Sequence, residues 1–426
     1  MQIIKYPEKK EWAGRLARPQ IDQSSLWEQV KIILDDVKRN GDEALIRYTK
    51  ILDGFETDSF KVTQEEFRKA EEQISDELKE AIKIASQNIE TFHKAQWPED
   101  VATETTPGIE CCQKAVPINS VGLYIPGGTA PLFSSVLMLA VPARMAGCKD
   151  IVMCTPPRKD GSIDPAILFA AEFVGVSKVF KAGGAQAIAA MSYGTESIPK
   201  VNKIFGPGNQ YVTLAKQMVF IDGTAIDMPA GPSEVMVITD ETTNPEFAAA
   251  DLLSQAEHGD DSQVVLVSTS ESQAIKTRDE LLKMLEQIPR KDTARESLKK
   301  SRLMVLEEKA IPEIINYYAP EHLIIATENP ESLAEKVENA GSVFLGSFTP
   351  ESLGDYASGT NHVLPTNGSA KAFSGVNLDS FMKKITFQKA TKEGLQQIGP
   401  SVETMASAEQ LEAHRLAVSI RTKNQM

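Results

Sequence analysis

The chain has 426 residues, of which 42% are hydrophobic and 24% charged, with a formal net charge of −14. These are ordinary globular values for a chain long enough to make two or more domains. The acidic balance argues against a general nucleic-acid or anionic-membrane surface. The start, Met-Gln-Ile-Ile-Lys-Tyr-Pro, has no apolar stretch of signal-peptide length. No apolar run approaches the roughly 18 residues that span a bilayer, so a cytoplasmic protein is expected. Cys111, Cys112, Cys148 and Cys154 form no Cys-x-x-Cys and read as reduced thiols.

Residues 1–22, with Pro7 and Pro19, read as an irregular N-terminal arm. Residues 23–120 read as a helical region. Leu26, Val30, Ile33, Leu34 and Val37 recur at helical spacing, Gly41 follows as a stop, and the same style returns from Ala81 to Phe92. This region is expected to pack with the second α/β unit described next. Residues 121–232 alternate four times between strand, Gly-rich turn and helix, with strands at 121–125, 150–154, 177–181 and 203–205. Residues 233–375 alternate again, with strands at 235–239, 264–268, 303–306, 322–326 and 342–345. The expected fold class is α/β: two doubly wound, incomplete Rossmann-like parallel-sheet domains. Residues 376–426 read as a small, charged, mainly helical C-terminal element.

Ligands of parallel α/β sheets collect beyond the carboxyl ends of the strands, and the unusual residues are expected there. Tyr124-Ile-Pro-Gly-Gly128, Gly183-Gly-Ala-Gln186 and Gly206-Pro-Gly-Asn209 each follow a strand and precede a helix. Glycines let backbone amides approach a phosphate at a helix N-terminus. No Gly-x-Gly-x-x-Gly is present, so plain tight turns remain the alternative. Gln255 and His258 are three residues apart and project from one helix face. An amide oxygen and an imidazole there suit a borderline cation such as Zn2+; a solvated helix end is the plainer reading. Ser233 is either a turn residue or a substrate contact.

Glu321 and His322 adjoin at a strand start. A carboxylate that activates water beside an imidazole that takes a proton suits sequential acid–base steps; an exposed pair is the alternative. The polar loop 354–365 offers Asp355 as an anionic ligand and His362 as a further donor. Glu409 and His414 are five apart, about 140° around a helix, so on one straight helix they cannot meet at one point. Of the five histidines, four fall in or beside these clusters, which is the compositional hint of a metal or acid–base site.

On VGLYIPGG, GGAQAIAA, KIFGPGN, DMPAGPSEV, DLLSQAEHG, PEHL, GSVFLG and GDYASGTNHVLPT, the chain resembles the histidinol dehydrogenase family of histidine biosynthesis. The resemblance runs over nearly the whole chain. It implies oxidation of L-histidinol to L-histidine, the last step of that biosynthesis, through an enzyme-held L-histidinaldehyde with two NAD+ reduced in turn. It implies one Zn2+ per subunit on Gln255, His258, Asp355 and His414, with Glu321 and His322 as the proton-transfer pair. Ser233, His362 and Glu409 would contact the substrate together with His322 and the metal ligands, and Tyr124, Gln186 and Asn209 would contact NAD. The family is homodimeric, with residues 376–426 of one subunit completing the site of the other. Without the resemblance, the same residues fit a zinc-dependent hydrolase or a non-catalytic binding protein.

Overall fold

The computed structural model describes residues 2–19, 23–57, 59–127, 131–229 and 231–423. Gly128 of the first glycine loop and Ala230 lie outside the described residues.

Two parallel sheets organise the chain. The first runs Lys178–Lys181, Asp150–Thr155, Ser120–Tyr124, Lys203–Phe205, Ala225–Ile226 in spatial order. The second runs Ile3–Lys5, Arg302–Val305, Gln263–Ser268, Glu234–Thr239, His322–Ala326, Ser342–Leu345. Leaving aside Ile3–Lys5, both follow the same order: third, second, first, fourth and fifth strand of their unit. Strands Glu234–Thr239 and Gln263–Ser268 are buried at every position, as expected when helices cover both faces of a parallel sheet. Helices Pro245–Ala256, Glu271–Leu285 and Lys291–Lys300 cover one face, and Ile311–Tyr318 with Trp12 and Leu16 covers the other. The doubly wound expectation holds for both units.

Three expectations of domain organisation differ from the structure. The helical region packs mainly on the first unit and meets the second at loop 354–365, where Asn88 Nδ2 donates to the Ala357 carbonyl at 2.8 Å. Helix Gln23–Tyr48 lies on Gly184–Tyr193 and Gln210–Ile221, helix Gln64–Gln73 on Pro165–Phe173, and helix Asp76–Lys94 on Phe133–Ala146. Its apolar stripe, Val30, Leu34 and Val37, enters the same core as Ile188 and Val212 of the first unit. The arm is not irregular throughout: Ile3–Lys5 pairs in parallel with Arg302–Val305 as an edge strand of the second sheet. Finally, residues 101–117 are not helical. Val101–Thr106, Ile109–Pro117 and the C-terminal Met382–Ala390 form a three-stranded antiparallel sheet, with Met382 opposite Pro117 and Ala390 opposite Ile109. The C-terminal element is therefore one strand followed by two helices, Lys392–Ala408 and Glu412–Lys423, packed on each other.

The carboxyl edge of the first sheet faces the amino edge of the second across a cleft of about 1470 Å3. Pro126, Pro207, Gly208 and Asn209 line one wall, and Gly231, Ser233, His258 and Gly259 the other.

Candidate active site

The polar residues of the second unit collect at the amino ends of its strands: Glu321 and His322 stand at a strand start, as their sequence context indicates, while the general expectation of a site beyond the carboxyl ends does not hold for this unit. The reason is helix direction. Each crossover helix runs back against the strands, so its last turn delivers side chains to the start of the next strand. Helix Pro245–Ala256 is started by Pro245 and by Asn244, whose Oδ1 accepts from Glu246 N. It carries Gln255 in its final turn, and His258 follows just beyond, before strand Gln263–Ser268. Helix Ile311–Tyr318 ends in Ala319 with φ 52°, and the chain turns there into Glu321 and His322.

Gln255 is fully buried, yet neither its amide oxygen nor its nitrogen has a hydrogen-bond partner. His258 is exposed at the cleft, and desolvation by the surrounding protein still lowers its pKa. Helix Glu351–Tyr356 presents Glu351 and Asp355 four residues apart on one face. One ligand atom from each of His258, Glu351 and Asp355 lies within 4.8 Å of the others.

His322 is the centre of charge. Its Nδ1 is 3.4 Å from the Glu234 carbonyl oxygen, 3.7 Å from Glu321 Oε2 and 3.9 Å from Glu351 Oε1. Its Nε2 is 3.5 Å from Asp355 Oδ1 and makes no hydrogen bond. Burial pushes the ring towards neutrality, but Glu351, Glu321 and Asp355 outweigh it and raise its pKa to about 10. Burial raises Glu321 to about 8, against the pull of His322 and of the Glu234 N–H, which donates to Glu321 Oε2 at 2.8 Å. Burial drives Glu351 well above the carboxylate range.

Glu234 is itself fixed. Arg18 Nε and Nη2 donate to its two oxygens at 2.6 and 2.9 Å, and the Tyr318 hydroxyl donates at 3.2 Å. The Arg18 guanidinium also lies 4.0 Å above the Tyr318 ring. His362, lowered by desolvation and so neutral, donates from Nδ1 to the Asp355 carbonyl at 2.8 Å. Its Nε2, 3.1 Å from Ser135 Oγ, then accepts from that hydroxyl. Loop 354–365 thereby ties the second unit to helix Phe133–Ala146 of the first.

Because Gln255 is orphaned and the neighbouring donors are one imidazole and two carboxylates, the pocket fits a divalent cation. A nitrogen–oxygen set of this kind suits zinc and also admits manganese.

A family model described as histidinol dehydrogenase matches residues 16–422. The histidinol dehydrogenase of Bacteroides thetaiotaomicron is 58% identical over 423 residues, 99% of both chains. That of Escherichia coli K12 is 53% identical over 410 residues, 95% of this chain and 94% of its own. The crystal structure of histidinol dehydrogenase from Elizabethkingia anophelis superposes with a TM-score of 0.97 at 54% identity, covering 99% of this chain and 98% of that one. The chain belongs to the histidinol dehydrogenase family. It is accordingly an enzyme, an NAD-dependent oxidoreductase.

Of the site residues expected from the family motifs, the fold brings Gln255, His258, Glu321, His322, Asp355, His362 and Ser233 to this one region of the second unit. Glu409 and His414 stand apart. Glu409 caps the end of Lys392–Ala408, Gln410 turns the chain with φ 61°, and His414 lies on the next helix. The helix does break between them. Both side chains are exposed, and His414 is outside the cluster formed by His258 and Asp355.

On the first unit, Tyr124 is buried and its hydroxyl accepts from Gly184 N at 3.1 Å. Gln186 is fully buried, with Nε2 3.3 Å from Asp53 Oδ2. Asn209 lines the cleft and caps its helix by accepting from Tyr211 and Val212 N. Lys216 and Asp227, both buried, grip Gly206 through its carbonyl and its N–H and so hold that glycine loop.

Two residues of the second site escaped the sequence reading. Arg18 looks like any cation of an arm. Glu351 carries a usable signal: its four-residue spacing to Asp355 is the same kind of relation that singled out Gln255 and His258.

Proposed function

We propose that this enzyme oxidises L-histidinol through a held L-histidinaldehyde to L-histidine, reducing two NAD+ in turn, at a zinc site shared between two subunits. The observation that carries the reading is the burial of the Glu321–His322 pair beside the His258–Asp355 cluster, with Gln255 buried and unpartnered in the helix turn that leads to His258.

Gln255, His258 and Asp355 would hold the zinc within one subunit, and His414 would come from the other. When bound, the metal supplies a fixed anchor for the imidazole and amine of the substrate, which restricts its orientation. His322 donates from Nδ1 to the Glu234 carbonyl, which leaves Nε2 as the nitrogen for proton transfer. The surrounding carboxylates hold the metal-free ring protonated; with Asp355 engaged by a cation that pull would weaken, and Nε2 would take the alcohol proton and later that of the aldehyde hydrate. Glu321, held by the Glu234 N–H, removes a proton from the water that adds to the aldehyde. Ser233, His362 and Glu409 bind the substrate. Tyr124, Gln186 and Asn209 form the NAD side of the cleft. All three would contact NAD, with Asn209 lining the cleft and Tyr124 and Gln186 buried beside the turn at Gly184.

The homodimer reading is supported by the C-terminal helices, which leave Met405, Leu416 and Ile420 exposed at 65%, 49% and 52%. A second copy packed on this helix pair would cover them. No helix among the described residues is long and apolar enough to cross a membrane, in keeping with a cytoplasmic enzyme.

The test is NADH formed per L-histidinol consumed, with and without prior chelation. Two NADH, lost with a chelator and restored by zinc, is the expected result. One NADH with aldehyde released removes the role given to Glu321. No NADH from metal-replete protein returns the site to the hydrolase reading.

A further inference from the structure

We propose that Glu351 is itself a ligand of the metal, so that one chain offers a complete protein site of Gln255, His258, Asp355 and Glu351 before any histidine arrives from a second subunit. The inference rests on the zinc reading above and extends it to a residue outside the family motif set.

Glu351 is fully buried, and neither carboxylate oxygen has a hydrogen-bond partner. A buried carboxylate without a partner is strongly disfavoured unless something compensates it. The nearest candidate is His322, 3.9 Å away, but that one imidazole already faces Glu321 and Asp355. A single positive charge cannot serve three carboxylates. Elsewhere the chain satisfies a buried carboxylate fully when its role is architectural. Glu234, equally buried, receives two bonds from Arg18 and one from Tyr318. Glu351 has no such partners and instead shares a 4.8 Å cluster with His258 and Asp355. A divalent cation placed among these atoms would relieve the carboxylates and give Gln255 the partner it lacks. With two carboxylates the donor set is also harder, which favours manganese relative to zinc more than a single carboxylate would.

The experiment uses full-length protein stripped of metal, with zinc titrated against a chromogenic chelator and Co2+ used as a spectroscopic probe. In Glu351→Gln, zinc affinity is expected to fall by more than about tenfold, the scale set by disturbing a metal shell, and the visible Co2+ spectrum to change. Asp251→Asn, which removes a nearby carboxylate outside the cluster, is the control and is expected to leave the Co2+ spectrum as in wild type. Unchanged affinity or an unchanged Co2+ spectrum in Glu351→Gln overturns the inference, while zinc binding by wild type keeps the site itself standing. Wild-type protein that binds no zinc overturns the underlying reading instead. Metal-free Glu351→Gln should melt no lower than metal-free wild type, because the amide replaces an unpartnered buried carboxyl of the same size. Should it fail to fold, Glu351→Asp, which keeps the charge and withdraws it by one methylene, carries the same two readouts with the same deciding outcomes.

Discussion

Glu321 is a base that burial has made hard to ionise, with its pKa raised to about 8. Only its carboxylate form can take a proton from water, so the step from aldehyde to acid should speed up as pH rises and level off above that value. Single-turnover oxidation of supplied L-histidinaldehyde across pH 6 to 10 checks this; a rate that falls over that range would remove Glu321 as the base. Glu321→Gln should slow the same step by about 10²- to 10⁴-fold, the usual yield of a positioned acid or base, while substrate still binds. Asp53 behaves differently, because it lies outside the metal pocket. Burial raises it to about 6 against the hydrogen bond from Gln186, so the folded protein holds that proton more tightly than the unfolded chain does. Its contribution is fully present below the ordinary carboxylate pKa and is lost as pH rises through about 6. Asp53→Asn should therefore raise the melting temperature more at pH 8 than at pH 4.5. Equal shifts at both would mean that the carboxyl ionises in the fold as it does in solution. His258, Asp355 and the Glu321–His322 pair stand out in the sequence through the family motifs that carry them; spacing alone leaves a solvated helix end and an exposed pair open, and it is the fold that brings these side chains together. Glu351 was not singled out, since a glutamate on a short helix looks solvated until the fold buries it.

At the scale of elements, strand limits from periodicity fell within a residue or two of those observed, and His322–Ala326, Lys203–Phe205 and Ser342–Leu345 coincide with them. Buried parallel strands announce themselves as apolar runs. The antiparallel sheet did not, because Val101–Thr106 and Met382–Ala390 are exposed along nearly their whole length and carry no hydrophobic contrast. That the second sheet uses its amino edge is legible only at Glu321 and His322, which precede and open their strand; for the other residues periodicity reports an element and not the direction from which its loops are used. The arm illustrates what such a reading loses. Arg18, only 19% exposed, clamps Glu234, whose backbone N–H holds Glu321 and whose carbonyl faces His322. Arg18→Met leaves Glu234 buried with no charge partner and only the Tyr318 hydroxyl, which should cost about 3–5 kcal/mol. The loss should appear as a lower denaturation midpoint at unchanged m-value, together with reduced turnover. A midpoint like that of wild type would show that the arm only decorates the sheet edge.

For the whole molecule, two units of the same strand order face each other by opposite edges, so the first contributes its glycine loops and the second its polar strand starts to one cleft. What one chain does not bring to that cleft is His414, which sits on the terminal helix pair beside exposed Met405, Leu416 and Ile420. If a second subunit supplies it, each site draws Glu321 from one chain and His414 from the other. Two inactive variants then test the arrangement. Glu321→Gln and His414→Ala should each lose turnover as homodimers. Mixed, unfolded and refolded together, they pair at random, and half of the dimers are hybrids in which one site has both intact residues while the other has neither. Turnover should recover to about a quarter of the wild-type value per chain, the share that random two-fold pairing allows. If His414 served the site of its own chain, every site in the mixture would carry one lesion, and refolding together would restore nothing.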